Sequence, residues 1–246
     1  MRSKYRYIKL GIIFAGVLLL LSCDELFNCI DGNGILKTEK RFVSEFYGVE
    51  NSTDFDVEVI ADSVYSVEVI ADENLLSYVN TSVRDGNLII DTENDRCLDS
   101  RHDIIVEIRM PIIDMVELTG SGNIDIYDFD CNYIEIKNSG SGDIDITNMV
   151  STSTVDVVLS GSGDVVLVWG KAHKGNYLLS GSGNIEANDF KLDDCYATNS
   201  GSGDIFCYVY DLLYATISGS GDIFYSGSPD ERIEVDSGSG DLRSRN

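Results

Sequence analysis

Proline is nearly absent: the 246-residue chain has two, Pro111 and Pro229, with none between them. Proline removes a donor from a β-ladder, so this gap favours long uninterrupted strand pairing. Helix signals are almost absent too, which points to an all-β chain. Basic residues are few, 18 Lys and Arg against 42 Asp and Glu, for a net charge of −24. Such a surface repels nucleic acid and anionic lipid head groups, and it discourages edge-to-edge association of strands. Histidine occurs only as His102 and His173, in unrelated contexts. No Ser/His/Asp or Cys/His arrangement is recognisable, and acidic pairs are too numerous for one to stand out as a catalytic couple. The charge does not imply disorder, because Val and Ile are plentiful and alternate regularly.

No apolar run is long enough for an ordinary membrane span. The longest, Leu10 to Leu21, follows a basic stretch containing Arg2, Lys4, Arg6 and Lys9. Leu20-Leu21-Ser22-Cys23 completes a pattern that resembles the lipobox of bacterial lipoproteins. The resemblance implies cleavage before Cys23 and lipid on its sulfur and new amine, and several acyl chains anchor stably where one would be marginal. An ordinary secretory signal with a chance Cys is the alternative. The expected divisions are a signal peptide at 1–22, a lipidated polar tether at 23–40 and a β-helical domain at 41–246. That domain comprises a stranded lead-in at 41–118 and a repeat array at 119–246. Without the leader's four basic residues, 14 Lys and Arg face 42 Asp and Glu, a net charge of −28. Asp24-Glu25 resembles the acidic export signal of surface lipoproteins in Bacteroidetes-type bacteria, although in enterobacterial sorting Asp there favours inner-membrane retention. The outer membrane or cell surface is therefore expected over the inner membrane.

The repeats carry most of the information. A hydroxyl residue, Gly-Ser-Gly, Asp or Asn, then an aliphatic residue recur seven times, starting at Thr119, Ser139, Ser160, Ser180, Ser200, Ser218 and Ser237. The first glycines lie 18 to 21 residues apart. A fixed period of this size marks a stack of units, none of which can bury its apolar face alone. After the motif, Ile124, Ile144, Val165, Ile185, Ile205, Ile223 and Leu242 head an inward column. Ile126, Ile146, Leu167, Ala187, Cys207 and Tyr225 form a second. Before the motif, pairs such as Ile134 and Ile136, or Val155 and Val157, form another inward set. The expected fold is an all-β, right-handed parallel β-helix of about 20-residue coils, turned at Gly-Ser-Gly corners. The glycines would permit positive φ or close approach, and Ser and Asp/Asn would hydrogen-bond exposed backbone. In the lead-in, Asp85-Gly86-Asn87 is a turn between two strand-like runs.

These tandem phrases, with the stranded lead-in, resemble the putative auto-transporter adhesin, head GIN domain family over roughly residues 40–246. The resemblance implies an exported protein with a β-helical fold, and it carries no catalytic residues.

Six cysteines divide into three groups. Cys23 is the lipid site. Cys29 and Cys97 precede the repeats in polar contexts, and export permits a disulfide between them. Cys131, Cys195 and Cys207 match no zinc spacing and read as buried small hydrophobes.

Three features could bind something. Asp143, Asp164, Asp204, Asp222 and Asp241, stacked in register, could hold a row of weak Ca²⁺ ions. The bland reading is that these side chains satisfy corner backbone, since Asn123 and Asn184 occupy the same position. Phe206 and Phe224 lie in the outward column of adjacent coils and could form a stacking platform for sugars or a protein. Trp169, Lys171, His173 and Lys174 form a basic, aromatic segment that could meet an anionic glycan or be a simple turn. Arg243 and Arg245 place charge on the last open strand. The reading as a whole is a non-enzymatic, lipid-anchored envelope protein that binds or adheres. No cofactor is implied, and the partners are membrane lipid through the anchor and a glycan or surface protein. A carbohydrate-active β-helix enzyme and a purely structural envelope protein are the alternatives.

Overall fold

In a computed structural model, which describes residues 29–245, the chain is all-β and winds into parallel coils of a β-solenoid of about six turns. The signal peptide and Cys23 lie outside the described residues.

The chain opens with β1 (Ile30–Asp31) and β2 (Leu36–Arg41), then makes a first coil from β3 (Gly48–Asn51) and β4 (Asp56–Ala61). Next come β5 (Ser66–Asp72), a hairpin of β6 (Val79–Arg84) and β7 (Asn87–Thr92), then β8 (Leu98–Asp99) and β9 (Ile105–Met110). Regular winding begins with β10 (Met115–Leu118), β11 (Ile124–Tyr127), β12 (Asp130–Asn138), β13 (Ile144–Thr147) and β14 (Val150–Leu159). It continues through β15 (Val165–Val168), β16 (Gly170–Leu179), β17 (Ile185–Asn199) and β18 (Ile205–Ile217). It finishes with β19 (Ile223–Gly227), β20 (Glu231–Asp236) and β21 (Leu242–Ser244).

Two long parallel ladders result. One runs β7-β3-β10-β12-β14-β16-β17-β18-β20, and the other β9-β4-β11-β13-β15-β17-β18-β19-β21. The Gly-Ser-Gly corner carries the chain from the first ladder to the second. Bends near the starts of several long strands, marked by register shifts between Cys131 and Tyr133 and between Val150 and Thr154, create a short third face.

The inward columns close the core. Ile124, Ile144, Val165, Ile185, Ile205 and Ile223 are fully buried, as are Ile134, Ile136, Val155 and Val157. Period two along each strand and a constant register between strands together put one apolar row on top of the next. Cys195 and Cys207 sit in these rows, and Cys131 is also buried.

At the corners the glycines serve close approach rather than positive φ, which none of them adopts. A Cβ on Gly142 would fall on the carbonyl oxygen of Gly122 one coil earlier, and one on Gly163 would fall on that of Gly142. Ser141 donates its N–H to Gly120 O at 3.0 Å, and Ser162 donates to Gly140 O at 2.9 Å. Inside two corners a buried Asn acts as a brace. Asn138 Nδ2 donates to Gly142 O at 2.8 Å while Gly140 N–H donates to Asn138 Oδ1 at 3.0 Å, and Asn199 repeats both bonds.

The N-terminal part departs from a simple tether and lead-in. The tether read at 23–40 is strand in its described portion: β1 pairs with β8, and β2 lies antiparallel on β5. A disulfide joins Cys29 to Cys97 beside the β1–β8 pair, Cα to Cα 4.5 Å. The β6–β7 hairpin turns on Asp85 and Gly86, both at positive φ, the pattern of a type I′ turn. The axial order of the coils is also reversed here. β7 and β9 stack outside β3 and β4, and the chain then crosses at Pro111 to resume with β10 on the opposite side. Antiparallel β5 and β2 extend this end of the second ladder, and β2 presents Lys37, Lys40 and Arg41 on the edge. The opposite end stops at β20 and β21 without such a cover.

Corner crowding sets a sharp expectation. Gly163→Ala should destabilise the protein by about 3 kcal/mol or more, because the backbone obstacle cannot move aside. Ser162→Ala, at an exposed position two atoms of chain away, should stay within about 0.5 kcal/mol in urea denaturation.

Candidate functional site

The corner acids form a continuous relay. Asp143 donates its N–H to Asn123 Oδ1 (3.0 Å), Asp164 to Asp143 Oδ1 (2.7 Å) and Asn184 to Asp164 Oδ1 (2.6 Å). Asp204, Asp222 and Asp241 continue the chain at 2.9, 2.7 and 2.8 Å. Each side chain thus caps the backbone of the following coil, which an Asn amide oxygen does as well as a carboxylate. One carboxylate oxygen each of Asp143, Asp164, Asp204 and Asp222 is occupied by such an N–H. Among the described residues no three His, Cys, Asp or Glu converge as metal ligands.

The outward column of the second ladder changes character along the stack. In register it reads Glu107, Glu58, Asp125, Asp145, Val166, Glu186, Phe206, Phe224 and Arg243. At the acidic end, partial burial and then the neighbouring Asp145, Glu58 and Asp56 carboxylates raise the Asp125 pKa. Asp145 is raised by burial and then by Asp143 and Asp164. At the other end Phe206 and Phe224 stack with centroids 4.9 Å apart and planes 7° apart. Of the two readings of this pair, an open platform or rings covered by later chain, the geometry has them covered. Both are half-buried, and Arg245 lies over the pair at 5.2 and 5.7 Å, with Arg243 over Phe224 at 5.9 Å. Arg243 also pairs with Asp222 and Asp241. Guanidinium over aromatic faces is a favourable arrangement, and here it closes the last coil.

The basic segment is not a loop. From Gly170 it is strand β16, and it helps build the third face. Lys171 and Lys191 are register partners, followed by Tyr208, while Ala172, Leu192 and Val209 between the outward positions are buried. His173 Nδ1 lies 2.8 Å from Asp193 Oδ2, and that hydrogen bond raises the imidazole pKa. Tyr210 is 41% exposed and meets Tyr208 edge-on, centroids 5.2 Å apart. Lys171, His173, Lys191, Asp193 and Tyr210 line a depression of about 570 Å³. Lys174 does not line it and instead lies over the Tyr196 ring at 4.3 Å. Trp169, 69% exposed, turns the corner into β16 with φ 53°. Asp128 and Asn148 hold that corner position in earlier coils at φ 65° and 58°. Those residue types tolerate the left-handed region, whereas for a bulky aromatic it is an outlier.

A fourth cluster was not visible in the sequence. His102 Nδ1 lies 2.7 Å from Asp72 Oδ1, and Arg101 N–H donates to Asp72 Oδ2 at 3.0 Å. Asp72 is fully buried, and its bond to His102, partly opposed by burial, lowers its pKa. Ser100 and His102 line the same depression of about 230 Å³, and the buried Ser100 Oγ has no hydrogen-bond partner. Thirty residues separate Asp72 from His102, and only the packing of β5 against the β8–β9 connection joins them. Asn51, Asn138 and Asn199 were also missed, although an Asn directly before the Ser of a corner is a readable signal. Cys131 and Cys195 are poor nucleophiles. Burial pushes Cys131 up to about 11, and the Cys207 contact with burial raises Cys195 further.

The acidic ladder gives a pH prediction. A raised carboxyl pKa means that the folded state binds the proton more tightly than the unfolded chain. Stability is therefore lost as pH rises from the ordinary carboxylate range through the folded-state pKa. Asp125→Asn should raise the melting temperature by a few degrees at pH 7, with the gain gone by about pH 3, where both states are protonated.

Comparison with known proteins agrees with this architecture. The family model "Putative auto-transporter adhesin, head GIN domain" matches residues 45–229. No curated protein matches the chain. Among solved structures, a putative adhesin from Bacteroides fragilis superposes with a TM-score of 0.82 at 23% identity, covering 87% of this chain and 99% of its own. A protein described as a putative lipid binding protein from Parabacteroides distasonis gives 0.73 at 24% identity, covering 89% and 100%. A putative adhesin from Parabacteroides merdae gives 0.66 at 22% identity, covering 88% and 99%. At such identities the likeness is one of fold. The family match spans most of the chain, and the chain belongs to the head GIN domain family of putative auto-transporter adhesins.

Proposed function

We propose that the protein is a non-enzymatic binding protein of the bacterial cell surface, tethered through lipid at Cys23, whose role is adhesion. Family membership supports an exported, surface-acting protein. The lipobox-like Leu20-Leu21-Ser22-Cys23 and the acidic Asp24-Glu25 support the anchor and its outward sorting. One structural observation carries the binding role: the third face gathers two lysines without ion-pair partners among the described residues and the exposed Tyr210 ring around a depression on a hydrogen-bonded scaffold. Sites held by strands are positioned more firmly than sites on loops. The −28 charge of the mature chain, counted from Cys23, disfavours anionic lipid and nucleic acid as partners.

Protease shaving of intact cells tests the location, and it should remove the protein without lysis. Full protection would rule out direct adhesion. A deletion strain should attach less to its surface than the parent. Unchanged attachment with a weakened envelope would favour the purely structural role.

A second, hydrolytic reading rests on one arrangement. Buried Asp72 orients His102 through Nδ1, and Ser100, whose hydroxyl is buried and not hydrogen-bonded to the imidazole, lines the same depression. That division of roles is the logic of a Ser-His-Asp site. A fluorophosphonate probe should label Ser100, and Ser100→Ala should abolish labelling, if this reading holds. An unlabelled protein leaves Asp72 and His102 as a clamp on the N-terminal cap.

A further inference from the structure

We infer that the third-face depression recognises an oxyanion carried on a sugar ring: an acidic residue of a glycan whose charges are sparse. The inference rests on the binding role above and names its ligand class. Lys171 and Lys191 are adjacent on β16 and β17 as register partners, and both are exposed. Neighbouring parallel strands lie about 4.8 Å apart, so two ammonium groups share one small area and repel each other. The chain carries 42 acidic residues, yet neither lysine has a carboxylate within ion-pair distance among the described residues. Two like charges held together without a counter-ion favour an anion that bridges them.

The surroundings narrow the anion further. One column of the face runs Lys171, Lys191, Tyr208; beside it His173 is hydrogen-bonded to Asp193, and Tyr210 lines the same depression. The tyrosine pair adjoins the lysine pair on the next coil, and its rings meet edge-on. An aromatic face beside a cation pair suits a sugar ring whose apolar face packs on Tyr210 while its acid reaches the lysines. His173 and Asp193 complete the rim with a donor and an acceptor for hydroxyls. Whole-molecule charge then limits how acidic the ligand can be. A densely charged polyanion meets the field of a −28 chain, and Asp193, Asp194 and Asp211 around His173 oppose it even beside the lysines. A glycan with one acid among neutral sugars places its charge on the lysines and only neutral rings elsewhere. At physiological salt the wider field is screened beyond about 8 Å, which leaves the local pair to decide binding.

Isothermal titration of the full chain with a trisaccharide carrying one galacturonate among neutral sugars, its methyl ester and a monosulfated disaccharide tests the inference. At least one of the two acids should bind. For the uronate, the methyl ester should bind roughly tenfold or more weakly, the scale of a lost charge-assisted hydrogen bond. Lys171→Met combined with Lys191→Met should abolish the preference for acid over ester, or binding of the sulfated sugar if sulfate is the preferred oxyanion. Tyr210→Ala should weaken acid and ester by the same factor. Both lysines are exposed, so an unchanged melting curve shows that the variant is folded. The proposal is overturned if neither acid binds, if binding survives the double substitution, or if poly-glutamate binds as tightly as the sugar acids. None of those outcomes affects protease shaving or cell attachment, which test the surface role separately.

Discussion

The whole stack depends on how closely one corner can approach the next. At each Gly-Ser-Gly the carbonyl of one coil sits where the following coil would otherwise place a Cβ. Side chains are excluded there, and the backbone is left to bond directly to backbone. Every other regularity follows from that contact. It fixes the spacing of the ladders, brings each inward Ile or Val over its predecessor, and places the Asp or Asn oxygen against the next N–H. An aspartate row that looks like an ion site in one dimension is a backbone splint in three.

The same contact explains which features were legible in the sequence. Inward columns such as Ile124, Ile144 and Val165 could be read because two periods coincide, one of two residues and one of about 20. Cys195 and Cys207 fell in those columns and are buried accordingly. The first coil escaped notice because its corner, Asn51-Ser52-Thr53-Asp54-Phe55, has no glycine. It needs none. Between β7 and β9 the chain takes the long excursion 93–104, so no tight corner crowds Thr53 or Phe55. Gly120 and Gly122 of the next coil, which do lie against Thr53 and Phe55 carbonyls, are glycine as required.

Sites were less legible than fold, for a physical reason. A solenoid assembles its surface from residues about 20 apart, and outward positions carry no periodic constraint. Lys171 and His173 could be singled out as unusual, but Lys191, Asp193, Tyr208 and Tyr210 join them only through register. Phe206 and Phe224 were correctly placed in the outward column, yet their cover by Arg243 and Arg245 depends on a final strand too short to read as a coil. Asp72 and His102 meet through antiparallel packing that no repeat announces. The outward column of the second ladder is thus graded along the axis, acidic at Glu58, Asp125 and Asp145 and aromatic then basic at Phe206, Phe224 and Arg243.

The reversed order of the first coils bears on how the chain can fold as it emerges. β3 and β4 are made before every strand that flanks them. They are the interior of the finished stack, yet they begin with two bare edges. One edge waits for β7 and β9, the other for β10 and β11. Those partners lie tens of residues downstream, and closing such loops costs entropy before any contact rewards it. A chain that folded as it emerged would grow its stack in two directions from β3 and β4, with the antiparallel cap on one side and the repeats, one coil at a time, on the other.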